Sequence, residues 1–145
     1  MSNNTKELEK LIKQGESLYL EFKSDVKGLP DRDLTAAVVS LANTEGGELL
    51  LGVEDDGTVT GLNDKHLNVS GMPALIANKT NPSLSVSVER FDLQTGYVAR
   101  ITVPKSRQLV STSDGLLVRR RLKLDGKPEA VPFYPHEFTQ RQSSM

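Results

Sequence analysis

Apolar positions along the 145-residue chain change period several times, and each change marks an element. Leu8, Leu11 and Ile12 share one face of a short amphipathic helix over residues 5–14, which Gly15 ends. Leu18, Leu20 and Phe22 then alternate with Tyr19, Glu21 and Lys23, the period-two pattern of a strand. Leu34, Ala37, Val38 and Leu41 return to helical spacing, after a loop whose Pro30 and Asp31 suit a helix start. Asn43-Thr44-Glu45-Gly46-Gly47 stops that helix. At least one of the two glycines is expected at positive φ, because the chain must leave a helix and enter a strand within a few residues. Leu49-Leu50-Leu51 with Val53 does not alternate and reads as a strand covered on both faces. Glu54-Asp55-Asp56-Gly57 supplies turn chemistry, and Thr58-Val59-Thr60 is expected to return as a hairpin partner.

The second half is mostly alternating. A weak helical pattern over residues 64–80 is interrupted at Ser70-Gly71, with a helix expected from Pro73 and ended before Asn81-Pro82. Leu84, Val86 and Val88 form one half-buried strand, and Tyr97, Ala99, Ile101 and Val103 form the inward set of another. Lys105 to Ser113 is a polar, basic connection, and Leu116 to Arg121 is a further strand. From Gly126 the chain is proline-rich. The expected organisation is one folded domain over residues 1–127 and a tail, or linker to a further domain, over 128–145. The fold class is α/β, with a mixed sheet that is mostly antiparallel in its second half and helices packed on it.

Composition narrows the function. With no cysteine, disulfides, thiolate metal sites and a cysteine nucleophile are excluded. No apolar run approaches membrane-spanning length and the first residues have no signal-peptide pattern, so no membrane partner is expected and the cytoplasm is the default location. Gly46-Gly47 is followed by Glu-Leu, so there is no phosphate loop for ATP. Ser40 and Ser106 lack a nucleophile elbow. His66 and His136 lack metal-ligand spacing and read as surface or packing histidines. The net charge of −1 hides a segregation. Residues 1–70 hold 7 basic and 13 acidic side chains, whereas residues 97–127 hold 8 basic and 2 acidic. If the second segment forms one surface, its partner is anionic.

LANTEGGELLLGVEDDGTVTGL, with the upstream Glu16, Glu21-Phe22-Lys23 and the later Val103-Pro104-Lys105 and Asp114-Gly115-Leu116-Leu117-Val118-Arg119, resembles the Schlafen-type AlbA-2 domain, a family described as DNA-binding. The resemblance covers roughly residues 5 to 125, in the right order. Phe133-Tyr134-Pro135-His136-Glu137-Phe138 departs from the family's closing pattern.

Two chemistries are on offer. The first is phosphate contact through Lys23, Arg100, Lys105, Arg107, Arg119 and Arg121, because the planar guanidinium donates two hydrogen bonds at once. Strand alternation puts Arg119 and Arg121 on one face and Arg120 on the other, with Val118. Low aromatic content argues for backbone and shape recognition over base stacking. The second is a carboxylate cluster. The resemblance to Schlafen ribonucleases implies catalytic and metal-binding roles for Glu16, Glu21 and Asp55 around Mg²⁺ or Mn²⁺, hard cations that take oxygen ligands.

The favoured expectation is a nucleic-acid-binding module, DNA before RNA, of a bacterial transcriptional regulator, acting by binding rather than catalysis and without a cofactor. The alternatives are a metal-dependent Schlafen-like endoribonuclease acting on structured RNA, and a structural dimerisation module. A homodimer is expected in any case. The two-lobed Schlafen core that this chain resembles grips nucleic acid in a horseshoe, and one chain supplies one lobe. Val131, Phe133, Tyr134 and Phe138 are the apolar tail residues available for such contact.

Overall fold

The computed structural model describes residues 3–133. Helix α1 (Asn3–Gln14) leads into strand β1 (Leu20–Lys23), helix α2 (Asp31–Ala42) and strand β2 (Gly47–Leu51). A single 3-10 turn at Asp64–His66 precedes helix α3 (Met72–Asn78). Strands β3 (Thr80–Asn81), β4 (Ser87–Leu93), β5 (Gly96–Val103), β6 (Ser111–Thr112), β7 (Val118–Leu122) and β8 (Pro128–Pro132) complete the fold. The main sheet runs β1-β2-β5-β4, parallel between β1 and β2 and antiparallel elsewhere. This is the mixed α/β arrangement the pattern predicts.

Both faces of the sheet are covered, which explains the uninterrupted leucines of β2. Leu49 and Leu51 enter a core with Leu34, Val38 and Leu41 of α2, Ile76 of α3 and Ile101 of β5. Leu50, between them, enters a second core with Leu8 of α1, Phe22 of β1 and Phe91 of β4. Val98, on the opposite face from Ala99 and Ile101, is buried in that second core with Leu8 of α1.

The turn into β2 depends on both glycines. Gly46 has φ of 73°, and its N–H returns to the Leu41 carbonyl at 2.8 Å. Gly47 has φ of 141°, and a Cβ there would stand 2.1 Å from the Tyr19 carbonyl oxygen. That close approach lets Glu48 N–H reach the same oxygen at 2.8 Å and start the β1–β2 ladder.

Some expectations are corrected. Thr58-Val59-Thr60 is not a strand: a lone bridge joins Val53 to Val59, and Thr60 and Gly61 fold back onto the Gly52 carbonyl. The run is too short and too exposed to extend the ladder. Leu84 lies outside β4, where its N–H is taken by the Thr80 hydroxyl at 2.9 Å. The expected boundary at Lys127 falls inside a hairpin, because β8 pairs with β7 from Val118↔Pro132 to Leu122↔Pro128. Val131 is buried within this unit. Tyr134, His136 and Phe138 lie outside the described residues.

Candidate nucleic-acid interface

The last turn of α2 organises the basic half of the chain. Asn43 is buried, and its amide nitrogen donates to the Val110 and Val118 carbonyls at 2.8 and 2.9 Å. Its Oδ1 accepts from Val110 N–H at 2.9 Å. Thr44 Oγ1 accepts from Arg120 N–H at 2.8 Å, and Ser106 N–H reaches the Ala42 carbonyl at 2.9 Å. One short polar stretch therefore holds both the loop carrying Lys105 and Arg107 and the root of β7, which carries Arg119 and Arg121. The sequence signal was an asparagine and a threonine at a helix end, which a cap explains equally well.

The six expected phosphate-contacting residues do not form one face. Arg100 lies on the α1 side of the sheet, where its Nε donates to Glu48 Oε1 at 2.6 Å and Glu7 is 3.5 Å away. Lys23 lies on the opposite side. It lines a groove of about 290 Å³ with Glu21, Asp33, Ser40, Val118 and Ala130. Lys105 and Arg107 are exposed, with Glu45 3.5 Å from Lys105. Arg119 is half-buried with its guanidinium 6.0 Å from the Phe133 ring centre, and the exposed Arg121 pairs with Glu129 at 2.9 Å.

Arg120 has a different task. It is 2% exposed, and its Nη1 donates to Glu21 Oε2 at 2.9 Å. The same guanidinium donates to the carbonyls of Ser17, Leu18 and Leu20 at 2.5, 3.2 and 3.3 Å. Glu16 Oε2 accepts Phe22 N–H at 3.1 Å. Strand β1 is the sheet's edge, where Glu16 takes the open Phe22 N–H and Arg120 takes the Leu18 carbonyl and adds a second donor to Ser17 and Leu20, which already pair with each other.

The carboxyls of Glu16 and Glu21 shift each other in opposite directions. Burial pushes Glu16 up to about 8, helped by its hydrogen bond to Glu21 and by the charges of Glu21 and Asp55, against the opposing pull of Phe22 N–H. Burial alone would raise Glu21 too. The hydrogen bond from Glu16 and the charges of Arg120 and Lys23 outweigh it and hold that carboxyl below the ordinary range. Asp55 is exposed and acts on Glu16 through its charge. A divalent cation held by these carboxyls would require Arg120 to release Glu21. Glu21 is tied to the Arg120 guanidinium, and no group of three His, Cys, Asp or Glu among the described residues is arranged to hold a metal ion.

A further pair was not anticipated. Asp25 is completely buried, and both its oxygens lie 2.9 Å from His66 Nδ1. It also accepts from Leu29 N–H at 2.7 Å and Asn63 N–H at 2.8 Å. The pair clips the loop before α2 to the segment after β2. His66 is thus a packing histidine with a fixed ring.

The model of the Schlafen, AlbA_2 family matches residues 16–127. The chain belongs to that family. The AlbA_2 domain here superposes on the DIP2311 protein from Corynebacterium diphtheriae with a TM-score of 0.70 and 20% identity, covering 88% of this chain and 27% of that one. It also matches the N-terminal domain of a RecG-related protein from Nitrosomonas europaea, whose name ties it to ATP-dependent DNA helicases. There the TM-score is 0.53 with 24% identity, covering 73% of this chain and 75% of that one. These likenesses establish the fold. The AlbA_2 chain spans about a quarter of the DIP2311 protein's length. No curated protein matches it. No helix among the described residues is long and apolar enough to cross a membrane.

Proposed function

We propose that this AlbA_2 domain binds nucleic acid, duplex DNA in the first place, through Lys105, Arg107, Arg119 and Arg121. The observation that carries the reading is the shared anchoring of their two segments on Ala42, Asn43 and Thr44. Of the eight basic residues between positions 97 and 127, Arg100 and Arg120 are occupied by Glu48 and Glu21. The other six keep their charge at or near the surface. Exposed ion pairs such as Arg121–Glu129 are worth little and yield to phosphate. Service in a transcriptional regulator, in the cytoplasm and as a homodimer, is the fuller form of this reading. Two copies would double the basic surface. Titration of duplex DNA and of tRNA at two salt concentrations tests it. Binding that weakens steeply with salt supports the proposal, and no binding to either rejects it. Sedimentation of a single species at the 15.9 kDa monomer mass would remove the dimer.

The second reading, metal-dependent cleavage of structured RNA, rests on the electrostatic coupling of Glu16 to Glu21 and to the charge of Asp55. It requires Arg120 to release Glu21. Mn²⁺-dependent cleavage that disappears in Glu21→Gln, with the fold retained, would favour it over binding alone.

A further inference from the structure

The tip of the β7–β8 hairpin is built unlike the rest of the surface. Leu124 has a relative exposure of 110% and Leu122 of 50%. A tight turn holds them there: Lys123 N–H meets the Lys127 carbonyl at 2.8 Å and Gly126 N–H meets the Lys123 carbonyl at 2.9 Å. Lys127 N–H closes the turn on Asp125 Oδ1 at 2.9 Å. Isolated exposed leucines are common and need no explanation. Here two stand together, flanked by the exposed Arg121, Lys123 and Lys127. The hairpin's root is locked by Arg120, so the tip is carried on a stiff ribbon.

We propose that this tip enters the minor groove of duplex DNA, with Leu124 as an apolar wedge against a base step and Lys123, Lys127 and Arg121 on the flanking phosphates. Minor-groove proteins commonly combine basic side chains with an apolar wedge that partly unstacks a step and bends the duplex. Charge complementarity selects the occupant. Asp125 lies 3.8 Å from Lys123 and Glu129 2.9 Å from Arg121, but these exposed pairs exchange readily for phosphate. The inference rests on the nucleic-acid-binding reading and adds a contact mode and a deformation to it.

The test measures affinity and end-to-end energy transfer on doubly labelled duplex DNA, for the wild type, Leu124→Ala and the Lys123→Ala/Lys127→Ala pair. The wild type should bind and shorten the end-to-end distance. Leu124→Ala should lose the bend and roughly tenfold in affinity with an unchanged salt slope. The lysine pair should lower the salt slope by about 2. Leu124 is fully exposed, so urea unfolding should be unaltered in that variant. Wild-type binding with an unaltered bend and affinity in Leu124→Ala overturns the wedge and leaves the nucleic-acid reading standing. Absence of duplex binding by the wild type overturns both. Flotation with anionic vesicles that depends on Leu124, without duplex binding, would assign the tip to a lipid surface and also overturn the proposal.

Discussion

The root and the tip of the β7–β8 hairpin are a few residues apart and obey opposite rules. At the root, Val118 and Arg120 point into the molecule, and Arg120 is held by Glu21 and three carbonyls of the β1 segment. At the tip, Leu122 at the end of β7 is half exposed, and Leu124 in the turn beyond it is fully exposed. Charge is buried where an apolar residue is expected, and apolar surface is exposed where charge is expected. The inversion separates two jobs within one hairpin: anchoring the ribbon to the sheet edge, and presenting a surface to a partner.

Breaking the root should have the largest effect. Arg120→Ala leaves the half-buried Glu21 without its guanidinium and the Leu18 carbonyl without its donor, and takes one of two donors from the Ser17 and Leu20 carbonyls, which should cost about 3–5 kcal/mol in urea unfolding. A loss near zero would mean that β1 closes its edge without the hairpin. Next comes Asn43→Ala. It strands the Val110 and Val118 carbonyls and Val110 N–H, and should cost about 2–3 kcal/mol while loosening both basic segments in hydrogen exchange. Protection lost in only one of the two segments would undo the idea of a shared anchor.

The root also sets a pH dependence. Glu16 is raised from an ordinary value of 4.5 to about 8, so the folded state binds more protons than the unfolded state between those values. Its contribution is complete below about pH 4.5 and lost as pH rises through 8. Glu21, held low, acts in the opposite sense and loses its contribution under acid conditions. The melting temperature should therefore fall as pH rises from about 5 to 8, and Glu16→Gln should flatten that slope. A slope unchanged in Glu16→Gln would show that Glu16 is not raised in the folded state. The smallest stability effect belongs on the solvent side. Arg121→Ala should change stability by no more than about 0.5 kcal/mol.

The fold was legible wherever burial imposed a period. Helical spacing from Leu34 to Leu41, the unbroken leucines of β2 and the glycine pair at 46–47 each have a local cause, and each is found as read. So is the opposed facing of Arg119 and Arg120, which alternation alone dictates. What stayed hidden depends on distant partners. Arg120 meets Glu21 across 99 positions, Asn43 meets Val118 across 75 and Asp25 meets His66 across 41. Polar residues with such partners leave no periodic trace, so they read as surface charge, a helix cap and a loop. Strand β8 escaped because its prolines resemble a linker, yet Pro128 and Pro132 sit at the two ends of an edge strand, where a missing N–H is tolerated.

The central claim is that the two segments anchored on the end of α2 act as one phosphate-binding surface. Its most direct test is the salt dependence of duplex DNA binding, compared between the wild type and a variant carrying Lys105→Ala, Arg107→Ala, Arg119→Ala and Arg121→Ala. If the four residues contact phosphate together, the slope of log affinity against log salt should fall by about 3–4, equally for unrelated sequences. A variant that folds, binds as tightly as the wild type and keeps its slope would contradict the account.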